Sequence, residues 1–186
     1  MFATTQALNQ TLTEIRARSG AAGTLFLVGE SSLVVEALTG YCTEVIFAAE
    51  VGEYQTELCD VIDTCASAAG LAVSIEHPAE VIPIPLNAAD RARPVTGFED
   101  DASMPLKIRH FDPFSVAIRF MARGDEPDYH LVIGLLEAGW ITMEQLENEV
   151  QDLLPRFSFD TIQQDPAEFR RKFKGLRQMW GAYAVE

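Results

Sequence analysis

The chain has 186 residues, enough for one full hydrophobic core or for a main domain with a small helical addition. Its composition, 48% hydrophobic and 23% charged, is typical of a globular protein and excludes wholesale disorder. The net charge of −14 argues against broad, non-specific affinity for nucleic acid or for an anionic membrane. A local basic site is compatible with this charge.

The compartment is indicated by the apolar segments and the cysteines. No apolar segment is long enough to cross a membrane, and residues 1–20 lack the basic-then-apolar order of a secretion signal. Cys42, Cys59 and Cys65 are an odd number of cysteines without metal-type spacing, which favours buried free thiols in a reducing environment. We therefore expect a cytoplasmic protein without a membrane partner.

In chain order, residues 5–75 alternate amphipathic helical patterns with short apolar runs. The run at 24–28 is continuously apolar, as in a strand buried on both faces. Gly40 and Gly70 follow helical patterns and mark where those helices end. The predicted elements are a helix over 5–18, a strand over 24–28, a helix over 31–38, a strand over 43–48, a helix over 53–69 and a strand over 71–75.

The middle of the chain is irregular. Residues 77–101 hold four of the nine prolines and no helical period, which indicates a surface crossing with one extended piece at 81–86. Residues 104–111 then alternate well enough to predict another strand.

From Asp112 onward the pattern is helical. Asp112-Pro113 and Asp165-Pro166 each combine an N-cap residue with a proline at the first helical position. The predicted helices cover 113–123, 128–138, 142–153 and 165–179. The fold class is therefore α/β (α+β), with a mixed sheet and flanking helices in residues 1–111 and a helical part in residues 112–186.

The strand, turn, helix and strand from Leu25 to Phe47 form a layout suited to nucleotide chemistry. Gly29 at a strand end, followed by Ser31 and Ser32 entering a helix, offers backbone N–H groups to phosphates. Two carboxylates one residue apart on the next strand would share a face and could hold Mg²⁺. Such a layout is typical of a nucleotidyltransferase-like domain.

The layout resembles that of the bacterial nucleotidyltransferase-like proteins related to the abortive-infection (AbiE-type) toxins. In that pattern the first of two Asp residues follows the first Gly by about fifteen residues, a helix and a turn, which here falls on Glu44. The second position falls on Ile46. Later motifs also follow in a similar order: a strand, an Asp-Pro step, a basic residue within a helix, an Arg-Gly link and an Asp. In this chain they are residues 107–111, Asp112-Pro113, Arg119, Arg123-Gly124 and Asp128.

The resemblance implies a nucleoside triphosphate and Mg²⁺ as cofactors of an active protein. Glu44 would be catalytic and metal-binding, with Glu76, at the end of the third predicted strand, as the other catalytic carboxylate. We expect the turn, Glu44 and Glu76 to converge in one pocket. Nucleotide contacts would come from Gly29, Ser31, Ser32 and Arg119.

Three departures from the family pattern predict a degenerate site. Glu30 replaces the second glycine, Ile46 replaces the second carboxylate, and Pro127 replaces a basic residue before Asp128. We therefore expect a pseudoenzyme that binds a nucleotide or a protein partner with little or no transfer. One alternative is an active, toxin-like transferase that modifies RNA or protein. Another is an interaction protein that retains only the fold, with Glu44 solvated and Ile46 in the core.

Two further groups of residues are candidates for function. His77, His110 and His130 lie near acidic residues, which allows a metal site, although surface histidines and helix-start acids also explain them. Residues 170–177 form a basic helix face. This basic face has two interpretations. One is an RNA contact through Arg170, Arg171 and Lys174; the other is charge that complements a helix C-terminus or the protein's own acidic surface.

Overall fold

The computed structural model describes residues 2–76, 89–156 and 165–183. The chain divides into two compact units, and the division falls between Asp112 and Pro113. Among the described residues, the first unit holds 2–76 and 89–112, and the second holds 113–156 and 165–183. The extended piece predicted at 81–86 lies outside the described residues.

The first unit is a mixed α+β structure. Its helices are α1 (Thr5–Arg18), α2 (Glu30–Val35) and α3 (Gln55–Ala69). Its strands are β1 (Ala3–Thr4), β2 (Gly23–Val28), β3 (Tyr41–Cys42), β4 (Val45–Glu50), β5 (Val73–Glu76), β6 (Arg93–Pro94) and β7 (Leu106–His110).

Five of these strands form one sheet in the order β5-β4-β2-β7-β6. The central strand β2 pairs antiparallel with β4, with Val28 opposite Ile46, and parallel with β7, with Leu27 opposite His110. The outer pairs are parallel for β4 with β5 and antiparallel for β7 with β6. The C-terminal end of β2 is therefore flanked by the start of β4 and by the end of β7.

The hydrophobic core of the first unit explains why these segments fold together. Leu25 and Leu27 of β2 lie in the same buried cluster as Phe47 of β4. The apolar face of α1, with Leu8, Leu12 and Ile15 fully buried, and that of α3, with Leu58 and Ile62, complete this cluster. The apolar residues that recur with a period of 3.6 in the helices, and those of the continuous run of β2, are thus buried in one core.

Helix α2 ends earlier than predicted because the chain turns at Ala37. Ala37 has φ 57, the left-handed conformation that favours glycine. Its N–H donates to Val34 O (3.0 Å), and Leu38 N–H donates to Leu33 O (2.9 Å). These two bonds form a Schellman motif, with alanine where glycine is usual.

The second unit is helical in its described residues, with α4 (Pro113–Arg123), α5 (Glu126–Glu137), α6 (Met143–Leu153) and α7 (Pro166–Tyr183). The predicted capping box of α6 is present, because Thr142 and Gln145 exchange backbone-to-side-chain hydrogen bonds of 3.2 Å each. Helix α5 starts two residues before the predicted position, with Asp125 as N-cap. Within the described residues no helix is both long and apolar enough to span a bilayer.

The predicted mixed α+β class is confirmed, as is the adjacency of the strands on either side of α2. The second of these strands is shifted by two residues, from 43–48 to Val45–Glu50, so Glu44 lies just before it. The sequence did not predict β1, β3 or β6, each of two residues. Strands this short carry no detectable period.

Candidate functional site

The turn after β2 is built around Gly29. This residue has φ 66 and ψ −134, a conformation that residues with a Cβ rarely adopt. Its carbonyl oxygen accepts from Ser32 N–H (3.2 Å), which closes the turn into α2. Gly29 is therefore required by the turn itself, whatever else the turn binds.

The two serines that follow are used inside the fold. Ser31 and Ser32 are buried, at 0% and 1% exposure. Ser32 Oγ donates to Leu27 O (2.9 Å), and Ser31 Oγ accepts from Ile46 N–H (2.8 Å). The two serine hydroxyls therefore join the turn to β2 and β4.

Glu44 and Glu76 lie at different levels along the sheet. Strand β5 runs parallel to β4, with Val73 opposite Val45 and Glu76 opposite Ala48. Glu44 lies before the start of β4, four residues from Ala48, which is about 13 Å along a strand. A single metal ion with ligands at about 2 Å would reach both carboxylates only if the two side chains extended towards each other along the strands. The sequence did not reveal this, because strand direction is not encoded in the apolar pattern.

Negative charge surrounds the start of β4. Burial, and the nearby Glu30 and Glu44 carboxylates, raise the pKa of the Cys42 thiol to about 11. Ile46, the position of the missing second carboxylate, is half-buried and faces the turn through its backbone. This end of the sheet therefore has the carboxylates of Glu30 and Glu44 close to the Cys42 thiol. It has the apolar side chain of Ile46 at the position where the family pattern places a second metal ligand.

A cluster of polar side chains lies at the same end of the sheet, on the β7 side. His110, at the end of β7, is 1% exposed, and its Nε2 lies 2.9 Å from Glu36 Oε1. Thr96 donates to the same carboxylate from its N–H (2.8 Å) and its hydroxyl (2.7 Å). We call Glu36, Thr96, His110, Asp112 and Arg91 the paired cluster.

The charges of the Glu36–His110 pair follow from these contacts. The hydrogen bond from His110, with those from Thr96, lowers the pKa of Glu36 to about 2. Burial lowers the pKa of His110. At neutral pH a neutral imidazole therefore carries its proton on Nε2 and donates it to a carboxylate anion.

Asp112 and Arg91 form the other half of the paired cluster. Asp112 is fully buried, and Arg91 Nη2 lies 2.8 Å from its Oδ2. Because β7 is parallel to β2, Asp112 lies near the turn that was expected to bind phosphate. Its carboxylate is neutralised by an arginine, which a metal ion would have to displace. The sequence indicated Asp112 as a helix start and as part of the Asp-Pro step of the family pattern, but not its pairing with Arg91.

The remaining predicted residues belong to the second unit or lie outside the described residues. Arg119 is half-buried on α4 and Asp128 is buried on α5, both in the second unit, and Asp128 pairs with Arg123. Pro127 is explained as a residue of the first turn of α5. His77 lies outside the described residues, and His130 is on α5 within 3.4 Å of the Tyr183 hydroxyl.

The cofactor expectation can be tested against this geometry. Among the described residues, no group of three or more His, Cys, Asp or Glu side chains is arranged to hold a metal ion. Glu44 and Glu76 are about 13 Å apart along the strands, and Asp112 is paired with Arg91. The described residues at this end of the sheet therefore do not fit a two-carboxylate Mg²⁺ site.

The basic face of α7 is partly structural. Lys172, with a side chain 15% exposed, donates from Nζ to Ala122 O (2.6 Å) and Arg123 O (3.1 Å), the last carbonyls of α4. The interpretation that this charge complements a helix C-terminus is confirmed for Lys172. Phe169, Phe173 and Leu176 on the opposite face are buried, as expected from their spacing.

Comparison of the chain with protein-family models, with curated proteins and with solved structures finds no match.

Proposed function

We propose that this protein acts by binding a protein partner, on a nucleotidyltransferase-like fold that no longer transfers nucleotides. The observation that carries the proposal is the hydrogen bond from Ile46 N–H to buried Ser31 Oγ (2.8 Å). It joins the backbone of Ile46, the position where the second metal carboxylate is expected, to the hydroxyl of Ser31, a residue of the turn expected to bind phosphates. This hydroxyl is thereby used within the fold, and the side chain of Ile46 offers no oxygen to a metal ion.

The paired cluster supports the same proposal. Glu36 accepts three hydrogen bonds, from His110 and Thr96, and Asp112 is paired with Arg91. These carboxylates hold α2 and the β6–β7 region together and do not point to an exchangeable ligand. A buried charge that loses its partner costs about 3–5 kcal/mol, so such pairs resist opening for a metal.

Charge at the turn also disfavours a triphosphate. Glu30 and Glu44 both lie close enough to Cys42 to raise the pKa of its thiol, in addition to the effect of burial. Two unit charges about 4 Å apart repel by about 4 kcal/mol at an effective dielectric constant near 20. A polyphosphate approaching this turn would meet that repulsion without a metal ion to offset it.

Calorimetry and a transfer assay test the proposal. The native protein is titrated with ATP, GTP, CTP and UTP in the presence of Mg²⁺, and incorporation of labelled nucleotide into RNA and protein is measured. We expect neither binding nor incorporation. Nucleotide binding without incorporation would show that the ligand is a nucleotide, and the proposal of a protein partner would fail. Robust incorporation that is lost in Glu44→Ala would overturn the proposal in favour of an active transferase.

A repaired variant sharpens this test. Ile46→Asp combined with Glu30→Gly restores the expected carboxylate and removes the acidic group from the turn. We expect it to raise Mg²⁺-dependent nucleotide affinity by at least about tenfold, equivalent to about 1.4 kcal/mol. Ile46→Asn with Glu30→Gly is the matched control, because it adds a polar side chain of the same size without charge. Equal affinities in the two double variants would refute the degenerate-site interpretation.

A further inference from the structure

A groove runs between α6 and α7 in the second unit, with a volume of 630 Å³. This is within the range of about 300–1,000 Å³ that is common for binding pockets. Its floor is apolar and consists of Val150, Leu154 and Phe173. The groove therefore has both the size and the lining to accept several apolar side chains.

The rim of the groove is basic. Arg170, Lys174 and Arg177 line it from α7, against Glu147 from α6. The side chains of α7 include five cations and one carboxylate, a net +4, in a chain of net −14. Positive charge is thus concentrated on one helix of an acidic protein, and part of it borders an apolar floor.

The five cations of α7 have different uses. Lys172 caps α4, and Arg177 pairs with Glu147 across the groove at 3.0 Å. Arg171 lies near Tyr129 of α5, where its charge opposes the burial that raises the pKa of that phenol. Arg170 and Lys174 remain exposed, and neither forms an ion pair or hydrogen bond with the rest of the described chain.

The spacing of these two cations defines a recognition pattern. Arg170 and Lys174 are four residues apart on α7, a rise of about 6 Å. Two carboxylates one turn apart on a helix of a partner protein are separated by about the same distance along that helix. A helix lying in the groove between two helices places its apolar face on the floor and its flanking carboxylates against the rim.

We propose that the groove between α6 and α7 binds an acidic amphipathic helix of a partner protein, through its apolar floor and through Arg170 and Lys174. A peptide fits better than RNA, because the floor is apolar and buried. This inference concerns the second unit alone. It stands whether or not the first unit binds nucleotides.

The test uses the full chain and a designed probe. The probe is a fluorescein-labelled helical peptide of about 15 residues, roughly four turns, with Leu along one face and Glu pairs one turn apart beside it. Fluorescence anisotropy should show saturable binding that weakens as salt is added. A scrambled peptide of the same composition, which has no apolar face, should bind at least about tenfold more weakly.

Charge reversal locates the site. Arg170→Glu with Lys174→Glu should weaken binding by about tenfold or more, since each reversal replaces a charge-assisted hydrogen bond with repulsion. Arg171→Glu is the matched control and should leave affinity unchanged, because this exposed residue does not line the groove. The same peptide with Lys in place of Glu should bind the doubly reversed protein better than the native one.

Three results would overturn the proposal: equal binding by the native and doubly reversed proteins, no saturable binding of the peptide, or tighter binding of a single-stranded oligoribonucleotide than of the peptide. Circular dichroism of each variant establishes that a loss of affinity is not a loss of folding. The scrambled peptide, measured on the native protein, tests the apolar floor without any substitution in the chain.

Discussion

The Glu36 carboxylate should contribute a large, pH-dependent part of the stability of the first unit. Its side chain is 16% exposed and accepts hydrogen bonds from His110 and Thr96. The fall of its pKa from 4.5 to about 2 corresponds to about 3 kcal/mol of stabilisation of the charged form. Glu36→Gln keeps the shape but removes the charge, so we expect it to lower the free energy of unfolding at pH 7 by about 2–3 kcal/mol.

The pH profile distinguishes this effect from lost packing. Because the folded pKa of Glu36 is depressed, its contribution is complete above pH 4.5 and is lost as the pH falls towards about 2. The difference between native protein and variant should therefore shrink over that window. Burial lowers the pKa of His110, so protonation of this histidine opposes folding, and both proteins should lose stability below about pH 6.5.

Urea unfolding followed by circular dichroism at several pH values measures these changes. Glu44→Gln is the matched control: this carboxylate is exposed at the same end of the sheet, and its loss should change stability by less than about 0.5 kcal/mol. A Glu36→Gln effect that is constant from pH 7 to pH 3 would refute the electrostatic argument.

The other predictions concern helix ends, and thermal unfolding measures each of them. Ala37→Gly should raise stability by about 1 kcal/mol, because Ala37 has φ 57; the same change at the helical control Ala68 should lower it by about 0.5–1 kcal/mol. Lys172→Met should cost about 2–3 kcal/mol through two lost hydrogen bonds, and exposed Arg171→Met less than about 0.5 kcal/mol. Placing alanine at the φ of 74 of Gly124 costs roughly 1 kcal/mol. Gly124→Ala should cost more than this, since the added Cβ would lie 2.6 Å from Lys172 Cδ. In a Lys172→Ala background the additional cost should vanish. The same sign for the two alanines, equal losses at the two basic residues, or a Gly124→Ala cost that is unchanged in the Lys172→Ala background would each contradict the assigned contacts.

Local patterns in the sequence predicted the elements that local physics determines. The continuous apolar run of β2 and the capping boxes of α6 depend on residues within a few positions of one another. The same holds for the turn at Gly29, where one residue fixes the backbone. These features are present in the structure at or near their predicted positions.

The candidate site depends on pairings that no local pattern contains. His110 and Glu36 are 74 positions apart, and Arg91 and Asp112 are 21 apart. Whether β5 runs parallel or antiparallel to β4 decides the position of Glu76, and both directions satisfy the same apolar pattern. The sequence therefore placed Glu44 beside the turn after β2, but it did not indicate the pairing of Glu36 with His110 or of Asp112 with Arg91.

The topology of the sheet has a consequence for synthesis of the chain on the ribosome. Strands β2 and β4, with α2 between them, lie within residues 23–50, so this local hairpin-like unit can form as soon as it emerges. The parallel neighbour β7 is translated much later, ending at His110. Until then, the β7-facing edge of β2 is exposed, and its unpaired backbone groups are a target for chaperones or for pairing with another nascent chain.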